Sequence, residues 1–268
     1  MTDCLIDGKP GHLIPADDRG LLYGDHLFET IAFHRGSAPL WSWHWQRLVK
    51  SCAILGYSEP DEATVRSECA SLCPVQGWAV IRLTVTRGSG GRAYFPPEQP
   101  VTRRIVQKRA WPNDLEVQRT AGLVMTTSPV RLATGSVVAG LKHGNRLEQV
   151  LAARACAAAN SDEALLFDHL GRLVEAIASC VVVELNGAAL TPPAGRGVDG
   201  VGLAWLRSQH AVDIQEAELD MDDIRAASGL MVINSVAGIR PASSLDGRPL
   251  NPSARCRLWQ QLWNERLS

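Results

Sequence analysis

The sequence predicts an α+β protein. Three observations carry that reading: short apolar segments joined by tight-turn pairs such as Asn186-Gly187, amphipathic stretches with helical spacing near both ends, and no strict alternation of strands with helices of the kind that builds a parallel sheet.

The elements follow in order. Residues 4–14, CLIDGKPGHLI, read as a hairpin about the Asp7-Gly8 turn. Within DRGLLYGDHLFETIAFHRG, the portion from Leu27 to Phe33 alternates like a strand and runs into a glycine turn. From Ser42 to Leu55 the spacing becomes helical, with Trp45, Leu48, Val49, Cys52 and Leu55 on one stripe and Gly56 as the stop. A second helix is predicted over Asp61–Leu72. WAVIRLTVTRG, from Trp78, is a strong strand that leads into the glycine loop GSGG, and RRIVQKRA is another strand. WPNDLEVQRT, residues 111–120, is polar and rich in turn formers, and reads as a linker between an N-terminal domain over 1–110 and a C-terminal domain over 121–268.

The second half alternates again. GLVMTTSPV is a strand, and Asn145–Ala159 a helix with Leu147, Val150, Leu151 and Ala158 on one face. EALLFD and RLVEA are strands joined by the turn His169-Leu170-Gly171. CVVVEL and AALT flank Asn186-Gly187, the best hairpin signal in the chain. A helix is predicted from Val201 to about His210, a strand at LMVINS, and an amphipathic helix over Ser253–Leu267.

Composition narrows the class. Apolar residues make up 46% of the 268, and 27 basic residues balance 28 acidic ones, so no charge excess recommends nucleic acid or an anionic membrane as partner. No apolar run approaches the roughly 20 residues that span a bilayer. The start, MTDCLIDGKPG, lacks the basic-then-apolar order of a secretory signal. Seven scattered cysteines read as reduced core thiols, which favours the cytoplasm over an oxidising compartment. Cys69 and Cys73 have no further Cys or His pair nearby, so no metal site is expected.

Five segments hold candidate chemistry. GRGVDG, Gly195–Gly200, matches a dinucleotide string literally, but it follows Thr191-Pro192-Pro193 and not a buried strand. A glycine turn entering a helix still offers free N–H groups, here at Val201 and Gly202, to a phosphate; a flexible surface turn is the competing reading. Arg87-Gly88-Ser89-Gly90-Gly91-Arg92 lacks the Lys-Ser/Thr ending of a P-loop; its arginines suit a carboxylate or simply a solvated hairpin tip. Lys142, one of only four lysines, sits where a loop meets a helix, and a helix N-terminus favours the neutral amine that Schiff-base chemistry needs. Taken alone it reads as a surface lysine. Glu175 lies in the apolar run RLVEA and requires a partner if buried, while Arg47 falls opposite the helical stripe and reads as exposed.

Together the segments DRGLLYGDHLFET, HWQRL, TRGSGGRAY, SPVRL, AGLKHGNRLEQVL, SDEALLFDHLGRLVEA and NSVAGIRP resemble, in order and over nearly the whole chain, the fold-type IV pyridoxal-phosphate enzymes. That family includes branched-chain and D-amino acid aminotransferases and aminodeoxychorismate lyases, and RGSGGRAY and KHGNRLEQVL are most similar to the lyase branch. The resemblance implies a two-domain α+β subunit, with a smaller N-terminal α/β domain, a larger C-terminal domain containing a pseudo-barrel, and pyridoxal 5'-phosphate at their interface. It implies Lys142 as the Schiff-base lysine and proton carrier, and Glu175 as partner of the pyridine nitrogen. Arg47, the N–H groups of Val201 and Gly202, and Ser235 are implied around the phosphate. Arg92, Tyr94 and Thr30 are implied on the substrate side.

The implied reaction turns 4-amino-4-deoxychorismate into p-aminobenzoate and pyruvate, a step toward folate, in a cytoplasmic homodimer. An aminotransferase on the same scaffold and an inactive binding protein are the alternatives. The chain departs from the family pattern at Cys180, where relatives commonly carry Asn, at His26 in place of Gly, and at Gly144 in place of a larger apolar residue.

Overall fold

A computed structural model describes residues 3–265, which form two compact units. The first runs up to Trp111 and also takes in Lys142–Asn145; the second comprises Pro112–Leu141 and the chain from Arg146 onward.

In the first unit, β1 (Cys4–Ile6) and β2 (Lys9–Pro10) form the expected hairpin. Asp7 and Gly8 both take positive φ, 49° and 79°, as a two-residue turn matched to strand twist requires. The unpredicted α1 (Arg19–Tyr23) is capped by Asp18, whose side chain accepts from Gly20 N–H. It is followed by β3 (His26–His34), α2 (Trp41–Leu55), α3 (Glu62–Ser71), β4 (Trp78–Thr86) and β5 (Arg103–Arg109). The strands make a five-stranded antiparallel sheet in the order β2-β1-β5-β4-β3. β3 and β4 pair along their full length, from His26↔Thr86 to His34↔Trp78.

α2 stops at Gly56 as predicted, in the left-handed conformation. Its buried seam runs through Trp41, His44, Leu48, Ser51 and Cys52. That seam is rotated from the predicted stripe, because His44 is held inside by a carboxylate described below. Hydropathy cannot foresee that placement.

The second unit opens with α4 (Leu115–Ala121), so the stretch read as a linker contains a helix. It packs against the sheet, where Arg119 Nε donates to the Ala237 carbonyl at 2.9 Å. β6 (Leu123–Leu132), α5 (Leu147–Ala158) and β7 (Glu163–Asp168) form a crossover between parallel strands. Then come β8 (Leu173–Ala176), β9 (Cys180–Leu185), β10 (Ala188–Thr191), α6 (Val201–Arg207), β11 (Gln215–Glu216), α7 (Met221–Ala226), β12 (Gly229–Asn234), β13 (Gly238–Leu245), β14 (Arg248–Pro249) and α8 (Ala254–Glu265).

The strand order is β11-β10-β9-β12-β13-β6-β7-β8, with β14 on β13. β8 ends that order, yet a short turn closed by Ala176 N–H to the Ser179 carbonyl (2.8 Å) joins it to β9. The sheet must therefore curl on itself, which gives the half-barrel the resemblance implied. Its core is packed with Leu123, Met125, Leu165, Phe167, Val183 and Val232.

Two expectations change here. α5 buries Ala152 and Cys156, while Leu147, Val150 and Leu151 are exposed. Small side chains let the helix lie close on β6 and β7, so the larger apolar residues face outward. β13 was not foreseen, because its sequence GIRPASSL carries a proline and two serines. No helix among the described residues is long and apolar enough to cross a membrane.

Candidate active site

Lys142 is held by strand-like pairing and not by a helix end. α5 starts only at Leu147. Phe28 N–H donates to the Lys142 carbonyl at 2.9 Å, and Gly144 N–H donates to the His26 carbonyl at 3.0 Å. Leu27 and His143 form the antiparallel bridge between those bonds. Side chains alternate across such a pairing, so Lys142 and Gly144 share a face with Phe28 and His26. Accordingly, Lys142 Nζ lies 4.5 Å from the Phe28 ring centroid.

The same ring carries a second cation. Arg82 of β4, paired across the strands with Thr30, places its guanidinium carbon 4.0 Å from the Phe28 centroid. Arg82 is largely withdrawn from water, and burial, then the Arg109 charge, lowers its pKa. Among the described residues no carboxylate pairs with it. A desolvated guanidinium without a counter-ion is a receptor for an anionic group. Sequence reading missed it; the signal was one arginine inside the strand WAVIRLTVT.

The other face of β3 holds Glu29, 2% exposed. Arg47 donates from Nε to Oε1 at 2.9 Å and from Nη2 to Oε2 at 2.5 Å. His44 Nδ1 lies 2.6 Å from Oε2. His44 and Arg47 are three apart on α2, so both reach one carboxylate. Burial opposes ionisation of Glu29, but the Arg47 charge and the His44 hydrogen bond overcome it and hold the carboxyl at about 2. An ionised carboxylate only accepts, so Nδ1 carries the proton, and burial keeps His44 neutral with its pKa lowered. His44 Nε2 is then buried with no hydrogen-bond partner among the described residues. Arg47 is thus a half-buried, oriented group and not the exposed arginine periodicity implied. Glu29 and His44 were not singled out from sequence, where the lone carboxylate in LFETIAF was the available sign.

The second unit gathers Glu175, the Gly195–Gly200 loop, Val201, Gly202 and Ser235. Glu175 is buried on β8 and anchored through both oxygens. Gln149 Nε2 donates to Oε1 at 3.1 Å, and Val198 N–H donates to Oε2 at 2.9 Å. A Cβ at Gly197 would lie 2.6 Å from Oε2, so only glycine lets the loop pass this close. Gly200 caps α6 and has Cys180 beside it: a Cβ there would meet Sγ at 2.3 Å. The Cys180 thiol faces the Val198 carbonyl at 3.8 Å, while Gln149 and Val198 are the groups that hold the Glu175 carboxylate. A Cβ at Gly202 would lie 3.0 Å from the Asn234 carbonyl carbon. That close approach sets Ser235 next to the first turn of α6. Asn234 Oδ1 accepts from Val236 and Ala237 N–H (3.1 and 2.7 Å) and fixes the turn carrying the serine.

Arg92 and Tyr94 stand exposed on the loop after β4, with Tyr94 83% exposed. The loop is organised by buried Arg19, which donates to the Ala93 carbonyl at 2.9 Å and the Tyr94 carbonyl at 3.2 Å. Asp25 receives Arg19, Arg87 and the Tyr57 hydroxyl; burial opposes its ionisation, yet these donors keep its pKa below the usual range. Arg87 is therefore structural here. Among the described residues no cluster of His, Cys, Asp or Glu is placed to hold a metal ion.

Residues 26–245 match the family described as amino-transferase class IV. The chain belongs to that family. Its enzymes depend on pyridoxal phosphate. An aminodeoxychorismate lyase of Vibrio harveyi is 28% identical over 249 residues, 90% of each chain. A putative branched-chain-amino-acid aminotransferase of Methanocaldococcus jannaschii is 28% identical over 242 residues, 87% of this chain and 83% of that one. The crystal structure of 4-amino-4-deoxychorismate lyase from Pseudomonas aeruginosa matches with a TM-score of 0.87 at 34% identity, covering 98% of both chains.

Taken unit by unit, the Lys142 amine of the first suits an imine, and in the second the buried Glu175 carboxylate and the glycine-lined helix start beside Ser235 suit a pyridine nitrogen and a phosphate.

Proposed function

We propose that this class IV protein is a pyridoxal-phosphate-dependent carbon–oxygen lyase that converts 4-amino-4-deoxychorismate to p-aminobenzoate and pyruvate in folate biosynthesis. The observation that carries the reading is the likeness, over 98% of both chains, to the Pseudomonas aeruginosa lyase. Arg82 supports it, because the substrate carries carboxylates and Arg82 offers a desolvated guanidinium on the Lys142 face.

When bound, pyridoxal phosphate supplies an electron sink for the carbon bearing the substrate nitrogen. Lys142 holds the cofactor and, once released, takes the proton from that carbon. Glu175, fixed by Gln149 and Val198, keeps the ring nitrogen protonated. Val201, Gly202, Ser235 and Arg47, the last oriented by Glu29, take the phosphate. Thr30, Arg82, Arg92 and Tyr94 are assigned to the substrate side, Thr30 and Arg82 being cross-strand partners on β3 and β4. Domains over 1–110 and 121–268, a homodimer and a cytoplasmic location complete the proposal.

The test is a coupled synthesis of aminodeoxychorismate with no keto acid added. Release of p-aminobenzoate with equimolar pyruvate supports the lyase. Amino exchange with 2-oxoglutarate and no pyruvate would establish the second reading, an aminotransferase of branched-chain or D-amino acids, which the Methanocaldococcus relative favours. Protein that stays colourless in pyridoxal phosphate, with no cofactor mass fixed on Lys142 by borohydride, would leave the inactive binding protein.

A further inference from the structure

The sheet face that carries Phe28 also carries a second arginine. In the antiparallel register Thr30 of β3 stands opposite Arg82 of β4, Arg82 opposite Gln107 of β5, and Val80 opposite Arg109. Opposed residues share a face, as do residues two apart on one strand, so Phe28, Arg82, Gln107 and Arg109 belong to one side. Rows across that side run from Phe28, through Thr30, Arg82 and Gln107, to Ala32, Val80 and Arg109. Lys142 Nζ and the Arg82 guanidinium carbon both lie near the Phe28 ring, 4.5 and 4.0 Å from its centre. Arg109 is one row further out, diagonal to Arg82, where Cβ atoms stand about 7–8 Å apart.

Gln107 gives the outer arginine a direction. Arg109 Nη2 donates to Gln107 Oε1 at 3.2 Å, which draws the guanidinium back toward the Arg82 row. Its other N–H groups have no acceptor among the described residues. The other buried or half-buried arginines of this unit are compensated: Arg19 and Arg87 meet Asp25, Arg47 meets Glu29, Arg103 meets Asp18 and Arg104 meets Glu68. Arg82 and Arg109 have no such carboxylate among the described residues. Burial and then the Arg109 charge lower the pKa of Arg82, and no acid offsets them. Two like charges left unanswered on one face cost energy that a doubly anionic ligand would return.

We propose that Arg109 is a specificity-determining residue that, with Arg82, forms a two-point receptor for an amine bearing two carboxylates. The enolpyruvyl carboxylate, attached beside the amine-bearing carbon, meets Arg82. The ring carboxylate, para to the amine, meets Arg109. An amino acid with an aliphatic side chain has one carboxylate and leaves one guanidinium unanswered. The inference rests on the lyase reading for the identity of the two carboxylates.

Calorimetric titration of the holoenzyme tests it with three aromatic amines. 4-Amino-3-(carboxymethoxy)benzoate carries both carboxylates, 4-aminobenzoate only the ring one, and 2-(carboxymethoxy)aniline only the ether one. None has a proton on the amine-bearing carbon, so none turns over. Wild type is expected to bind the dicarboxylate at least about tenfold more tightly than either monocarboxylate. R109Q, altered at an exposed position, is expected to keep its melting temperature and cofactor content. It should bind the dicarboxylate and 4-aminobenzoate about tenfold more weakly and 2-(carboxymethoxy)aniline unchanged, with R82L showing the converse pattern.

R109Q that binds the dicarboxylate as tightly as wild type, or that weakens all three ligands equally, would overturn the proposal. The expected pattern without pyruvate release from aminodeoxychorismate would keep the receptor and sink the lyase reading. Pyruvate release by an enzyme with no preference for the dicarboxylate would do the opposite.

Discussion

Phe28 meets Lys142 twice. Its N–H donates to the Lys142 carbonyl at 2.9 Å, and its ring centre lies 4.5 Å from Nζ. The candidate Schiff-base lysine is thus tied to a strand more than a hundred residues earlier in the chain, and residues 142–145 belong with the first unit while their neighbours on both sides belong with the second.

Replacing Arg82 tests the second cation on that ring. R82L should leave folding intact, since burial of an uncompensated guanidinium costs stability that leucine does not. KM for a carboxylate-bearing substrate should rise about tenfold to a hundredfold, the equivalent of one charged hydrogen bond. Unchanged KM in steady-state assays would remove Arg82 from the substrate side.

Glu29 should behave differently. E29Q removes the buried carboxylate that Arg47 and His44 share, a change that costs about 3–5 kcal/mol when one partner of a buried pair is lost. Urea unfolding should show that loss, and phosphate-dependent cofactor retention should fall with it as Arg47 loses its orientation.

Stability should fall with acid in two stages. His44 and His26 have pKa values lowered by burial, so the unfolded chain takes up their protons first and stability declines as pH drops below about 6.5. Glu29 has a folded value of about 2, below its ordinary 4.5, so its contribution is complete above 4.5 and is lost as pH falls toward 2. Thermal melts between pH 8 and about pH 3 should show both declines, and E29Q should weaken the second, leaving the share that Asp25, Asp168 and Asp246 contribute through their own lowered pKa values.

G197A probes Glu175 without touching it. The added Cβ would lie 2.6 Å from Oε2 and must push the carboxylate or the loop aside. Cofactor should dialyse away faster than from wild type, while circular dichroism stays unchanged. Retention equal to wild type would show that the loop yields and Glu175 does not move.

Much of the fold was legible because local chemistry and final structure agree. Asp7-Gly8 and Asn186-Gly187 take the positive φ values their residue types favour, and Gly56 ends α2 as a glycine stop should. The failures have specific causes. α5 packs through Ala152 and Cys156, so the apolar residues that marked its predicted face lie outside. β13 carries Pro241 opposite Met231, a position that pattern rules assign to an edge, although its neighbours β12 and β6 cover both sides. α4 lies in a polar stretch because one face of it meets water.

The candidate site divides along the same line. The resemblance carried by the ordered motifs marked Lys142, Glu175, Arg47, Val201, Gly202 and Ser235, because each motif is contiguous, whereas residue type alone read Lys142 and Arg47 as surface groups. What only the tertiary structure decided is what surrounds them: Glu29 between His44 and Arg47, Gln149 on Glu175, Arg82 over Phe28, and His26 in the space above Gly144. These are contacts between residues far apart in sequence, set by strand register and packing volume, and neither quantity is written in any single segment of the chain.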